Sequence, residues 1–223
     1  MSQLERNQSV LHKYLPEQAV PVIAQWIYQY DFKLKIKKSR SSKYGDYRPP
    51  VKGQNHQITI NHDLNKYAFL ITLVHEIAHL TNYNKHKDTV APHGEEWKLE
   101  FKILMNYFLH EHIFPEDVFK ALKKYMSNPA ASSCSDTNLL RVLKKYDQRQ
   151  DLVLLEELPE GSSFIYGDDR LFVKGEQIRK RFRCKDVKTR QIYLFNPLTE
   201  VKPTEAPKEE PKTAFFNIFN IKK

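Results

Sequence analysis

Apolar residues recur at three- and four-residue intervals over residues 4–14 and 17–30, which predicts two helices. Val20, Ile23, Trp26 and Ile27 mark the core face of the second, and Pro16 falls at its first turn. From Phe32 the period drops to two. Phe32, Leu34 and Ile36 alternate with Lys33, Lys35 and Lys37, the pattern of a half-buried strand with a basic outer face. Tyr44-Gly45-Asp46-Tyr47 reads as a turn, Pro49-Pro50 prevents a continuous central strand, and residues 56–60 form a second strand. Then Phe69, Leu70, Ile71, Leu73, Val74, Ile77, Ala78 and Leu80 make a helix apolar nearly all round, hence buried, with Asn61 or Asp63 as its cap. A polar loop over 83–92 separates it from a core-facing helix marked by Trp97, Phe101, Leu104, Met105 and Phe108, and residues 114–125 add another.

The pattern changes after residue 126. Residues 127–133 are small and polar, as in a linker, and 138–146 read as a short helix. Strand-like runs follow at 152–155, 163–166, 170–173, 177–187 and 191–195, which predicts a small antiparallel β module. Four prolines and mixed charge over 197–212 predict a flexible tail. The tail ends in an aromatic tip, Phe215-Phe216-Asn217-Ile218-Phe219, that could dock a partner protein. The chain thus predicts an α+β protein: a main domain over 1–126, a linker over 127–136, a β module over 137–198 and a tail over 199–223.

Composition narrows the class. The chain has 223 residues, 40% hydrophobic and 28% charged, with no signal-peptide apolar core and no run of membrane-spanning length. Only two cysteines occur, fifty residues apart, so no disulfide framework is expected and the expected compartment is the cytoplasm, with no membrane partner. Net charge is +9, spread over both halves of the chain, a balance that favours anionic partners and DNA first among them. Two basic groups could track phosphates: Lys33, Lys35 and Lys37, and the later run around Arg179, Arg181 and Arg183. Solvated strand faces explain the same residues, since edge lysines also deter aggregation.

The chemistry sits in the buried helix, where residues 74–81 read Val-His-Glu-Ile-Ala-His-Leu-Thr. His75 and His79, four apart, share one helix face. Two imidazoles so placed can reach one metal ion, and Glu76 can reach a water bound to it, which is the physical content of the His-Glu-x-x-His pattern of zinc hydrolases. Two surface histidines and a solvated Glu would spell the same letters. Here the apolar flanks bury the helix, where unpartnered ionisable groups are costly. A metal supplies the partner.

A catalytic zinc takes three protein ligands and keeps a fourth position for water. A metzincin would need a glycine and a histidine where this chain has Asn82 and Lys85. A thermolysin-type Glu would fall near Lys98 or Leu99, with Glu100 one place off. His93, in Pro92-His93-Gly94-Glu95-Glu96-Trp97-Lys98, and His86, in the preceding loop, are the other candidates. A ligand at a helix start is better preorganised than one on a loop tip, which favours His93.

A His-Glu-x-x-His helix followed, after a short loop, by His-Gly-x-x-Trp-Lys resembles the SprT-like metalloproteases, the group that includes the Spartan-type DNA–protein crosslink proteases. The likeness rests on His75, Glu76, His79, His93, Gly94 and Trp97, and extends more loosely over residues 15–125. It implies a zincin-like core, one catalytic zinc on His75, His79 and His93, Glu76 as the catalytic base of a peptidase, and work near DNA. Tyr83 is the residue guessed to steady the tetrahedral intermediate. In the resembled family the later region is often a four-cysteine zinc ribbon. Here Cys134-Ser-Asp-Thr137 and Cys184-Lys-Asp-Val187 each lack the second cysteine, so no second zinc is expected. The rival expectation, from another class, is a DNA-associated binding module whose metal site is structural or vestigial.

Overall fold

Asn65 begins the helix around which the first part of the structure packs. Its side-chain oxygen accepts from the N–H groups of Tyr67 at 3.1 Å and Ala68 at 2.9 Å, so two of the first orphan donors are satisfied. The computed structural model describes residues 3–40, 43–51, 53–110, 112–130, 136–147 and 151–205. The chain divides into two compact units, residues 1–148 and 149–223.

The first unit begins with α1 (Gln3–Tyr14), a 3-10 turn at Glu17–Ala19 and α2 (Val20–Gln29). Three strands follow, β1 (Phe32–Lys37), β2 (Gly45–Arg48) and β3 (His56–Asn61), and then α3 (Lys66–His86), α4 (Glu95–Asn106), α5 (Glu116–Tyr125) and α6 (Thr137–Lys144). The sheet order is β1-β3-β2, with β1 parallel to β3 and β2 antiparallel to it. Leu34 and Ile36 lie opposite Ile58 and Ile60, and Tyr47 and Gly45 oppose the same two residues from the other side. This face joins Phe69, Leu70, Val74, Ile77, Trp97 and Phe101 in one core, all six fully buried. Each such side chain contributes about 1.5–3 kcal/mol by burial.

The cap is not where the sequence pattern predicts. Asn61 ends β3, and its amide donates to the carbonyls of Arg40 and Lys43 at 3.1 and 3.0 Å, so it is committed to the sheet. Residues 44–47 are not a turn either. Gly45 and Asp46 are turn formers in isolation, but pairing along β3 overrides that preference and makes β2. The expected boundary at 127–136 also moves. Leu139 and Leu143 of α6 are buried in the core of the first unit, and Asn65 donates to Leu143 O at 2.8 Å. The first unit therefore runs to residue 148.

The second unit is a six-stranded antiparallel sheet of order β4-β9-β5-β6-β7-β8. Its strands are β4 (Val153–Leu154), β5 (Ser163–Tyr166), β6 (Arg170–Ile178), β7 (Arg181–Asp186), β8 (Ile192–Phe195) and β9 (Glu200–Thr204). Leu155, Phe164, Phe172, Cys184, Phe195 and Val201 form its core. The single strand expected over 177–187 is a hairpin, broken where Arg179 takes φ 53. The expected tail starts too early, because residues 200–204 are paired. Pro203 is tolerated there because β9 pairs with β4 only at Glu200 and Val201, leaving the Pro203 nitrogen on an unpaired edge. Cys184 is a packed core residue, its thiol pushed up to about 11 by burial. Cys134 and the aromatic tip lie outside the described residues. Both units together are mixed α+β, and no described helix is long and apolar enough to cross a membrane.

Candidate metal centre and its cleft

Three imidazoles from two segments meet beside α3. His75 and His79, one turn apart, bring their Nε2 atoms within 3.3 Å. His93 enters from the turn before α4, which Gly94 N–H closes by donating to Ala91 O at 3.0 Å. Its ring centroid lies 5.5 Å from that of His75 and 4.6 Å from that of His79. One ring nitrogen from each of the three falls within 4.8 Å of the others. Trp97, on the first turn of α4 and fully buried, backs the trio with its ring 4.7, 5.3 and 4.7 Å from His75, His79 and His93. The packing of α4 on α3 thus carries His93 to the other two.

The donor set fits a zinc ion. Burial holds all three imidazoles neutral: His75 titrates well below its ordinary range, with repulsion from His79 and His93 added, His79 falls to about 3, and His93 is lowered by burial. A neutral imidazole is the ligand form. His93 Nε2 is buried without a hydrogen-bond partner among the described residues, a cost that a cation at this point would remove.

Glu76 stands next to the trio, buried, with its carboxylate accepting the N–H of Tyr47. Burial raises its pKa to about 8 and Asp46 adds repulsion, against the pull of Lys43, Arg40 and the Tyr47 N–H. Gly45 lets this happen. A Cβ on Gly45 would stand 2.5 Å from Glu76 Oε1 and 2.8 Å from both Glu76 Cγ and Thr72 Cγ2. Gly45→Ala should therefore shift the carboxylate, and a displacement near 1 Å costs about 100-fold in rate. Any proton transfer that relies on this carboxylate is expected to slow by that order, while metal binding by the three histidines, read by titration with zinc, stays unchanged.

The histidines and Glu76 open onto a cleft of about 780 Å³. Its other wall carries Tyr47, whose ring lies parallel to His79 at 6.4 Å and whose hydroxyl is 2.9 Å from His56 Nδ1. Tyr83 lies beside them, 6.3 Å from Tyr47 and 6.0 Å from His56. Tyr44 and Tyr47 both line this cleft, Tyr47 because the alternation of β2 turns it inward.

The other candidates sit elsewhere. His86 is the last residue of α3 and is outside the cluster. Glu100 is buried against α3 and paired with Lys85 Nζ at 2.5 Å. Lys33, Lys35 and Lys37 point away from the core on β1. Arg179, Arg181 and Arg183 belong to the second unit, on the β6–β7 hairpin, where Arg183 pairs with Glu176 at 3.2 Å. Gly45 and Tyr47 are cleft residues whose place in the site sequence reasoning missed. A glycine inside an alternating run was the available signal, since strand glycines mark close approach of another group.

The α+β unit gathers the two histidines of its His-Glu-x-x-His helix with a third from the turn before α4, an arrangement that suggests a metallopeptidase-type domain. Residues 23–114 match the sequence profile of the SprT-like family. That family is typically associated with zinc. Among curated proteins and solved structures no match to the chain was found.

Proposed function

We propose that the SprT-like domain is a zincin-type, zinc-dependent peptidase in which His75, His79 and His93 hold the metal and Glu76 is the general base. The observation that carries this reading is the convergence of three neutral imidazoles beside one buried carboxyl at the floor of an open cleft. Bound zinc supplies Lewis acidity, which brings the pKa of a coordinated water toward neutrality and polarises an amide carbonyl. The remaining chemistry belongs to the chain. Glu76, raised to about 8 by burial and brought back toward neutrality by an adjacent cation, is suited to take a proton from the attacking water and deliver it to the leaving amine. Gly45 and the Tyr47 N–H hold that carboxylate in place. We assign Tyr83, one turn beyond His79 on α3 and lining the cleft, to steadying the negative charge that develops on the substrate oxygen. The substrate is a protein or peptide chain. The link to DNA-associated proteins is part of the proposal and is supported by the net charge of +9.

The purified protein should hydrolyse an unfolded protein substrate, lose that activity to a chelator and regain it with added zinc. Undiminished hydrolysis by the metal-free protein would remove zinc from the reading. A zinc-loaded protein with no hydrolysis, with or without DNA, would favour a binding module.

A further inference from the structure

The face of the first sheet turned away from the metal cleft carries its own constellation. Alternation sends Arg48 to that face, opposite to Gly45 and Tyr47, while Asp46 between them also borders the metal cleft. There Thr59 lies between Lys35 and Asp46, Gln57 between Lys33 and Arg48, and Asn61 beside Lys37. Arg40 lies across them, its Nε donating to Asn61 Oδ1 at 2.9 Å and its Nη1 to Thr59 Oγ1 at 3.1 Å. Asn61 in turn donates to Arg40 O, which ties the main chain that bears the guanidinium. The last guanidinium nitrogen, Nη2, is buried and has no partner among the described residues.

A hollow of about 670 Å³ opens here, lined by the cationic side chains of Lys35, Lys37, Lys38, Arg40 and Arg48 and otherwise by neutral polar groups. Asp46, on the same face, is spent on Lys43 at 2.7 Å and Arg48 at 3.0 Å and does not line the hollow. A solvated edge explains exposed lysines on β1. It does not explain a guanidinium tied down by two neutral side chains, its remaining nitrogen buried without an acceptor among the described residues.

We propose that this hollow is a phosphate-binding site in which Arg40 seats one phosphate oxygen and Arg48 and Lys37 hold the others. A phosphate offers several acceptor oxygens and up to two charges to donors arriving from different strands, and guanidinium forks match that geometry. The lysines of β1 recur every second residue, about 6.6 Å apart, so the seat continues into a row. The phosphate can come free in solution or as part of a phosphodiester strand; the chemistry at Arg40 is the same. The site lies on the opposite face of the sheet from the catalytic cleft and needs no metal.

The test follows the Nε resonances of Arg40 and Arg48 and the amides of β1 and β3 in the full-length protein. Sodium pyrophosphate and a short single-stranded oligonucleotide are titrated separately at fixed ionic strength. Saturable shifts confined to this face are expected, with affinity about tenfold weaker in Arg48→Gln and in Lys37→Gln. Lys124→Gln, which removes the same charge from α5, should leave the affinity unchanged. Arg40→Gln should abolish binding; it also loses the bonds to Asn61 and Thr59, so the two exposed variants carry the test if it does not fold. Tighter binding of the oligonucleotide, falling steeply with salt, supports the site and identifies a phosphodiester strand. Equal binding supports it and identifies a free phosphate. No saturable shift with either probe, or equal weakening by Lys124→Gln, overturns the proposal.

Discussion

Glu76→Gln is expected to lower peptide hydrolysis by about 10²- to 10⁴-fold, the range for loss of a general base, while zinc content and fold stay as in the wild type. The substitution is nearly isosteric, so the side chain still fits against Gly45 and its amide oxygen still accepts the Tyr47 N–H. What it loses is a group that can take a proton. Burial already disfavours the charged form of Glu76, so a neutral amide there adds no desolvation cost, and the melting temperature should not fall. Steady-state hydrolysis of a quenched peptide, with metal analysis on the same sample, reads both quantities. Full activity in the variant would take Glu76 out of the mechanism. Loss of zinc together with activity would make the carboxylate a ligand instead.

The parts of the structure that sequence reveals are those decided locally. The run from Phe69 to Leu80 is helical by its own pattern, and His75, Glu76 and His79 share its cleft-facing side because three- and four-residue spacing puts them there. The half-burial of β1 follows in the same way from its alternation. The misread parts depend on partners distant in the chain. Nothing local in Gly45-Asp46-Tyr47 announces a strand; pairing with Ile58 and Ile60 makes one. Asn61 and Asn65 are equally good caps in isolation, and the sheet claims the first through Arg40 and Lys43. Residues 137–144 look like the start of a new module until Leu139 and Leu143 are seen buried in the core of the first unit. His93 is intermediate. Its place at a helix start is legible, but its approach to His79 is set by Trp97 packing against all three rings.

That dependence makes His93→Ala the sharper test of the metal centre. Zinc affinity is expected to fall more than about 100-fold, since removing even the outer partners of metal ligands costs 10- to 100-fold. His93 sits in a turn outside the apolar core, so the metal-free variant should fold within about 1 kcal/mol of the metal-free wild type. Added zinc should raise the melting temperature of the wild type, because a ligand that binds only the folded state stabilises it. The variant should show little of that rise. His86→Ala and Glu100→Gln, which change the two other candidate ligands, should behave as the wild type in the same titration, because one ends α3 outside the cluster and the other is held by Lys85. If His93→Ala kept wild-type zinc affinity while either of these lost it, the third ligand would lie elsewhere, and the packing of Trp97 against His93 would serve only the fold.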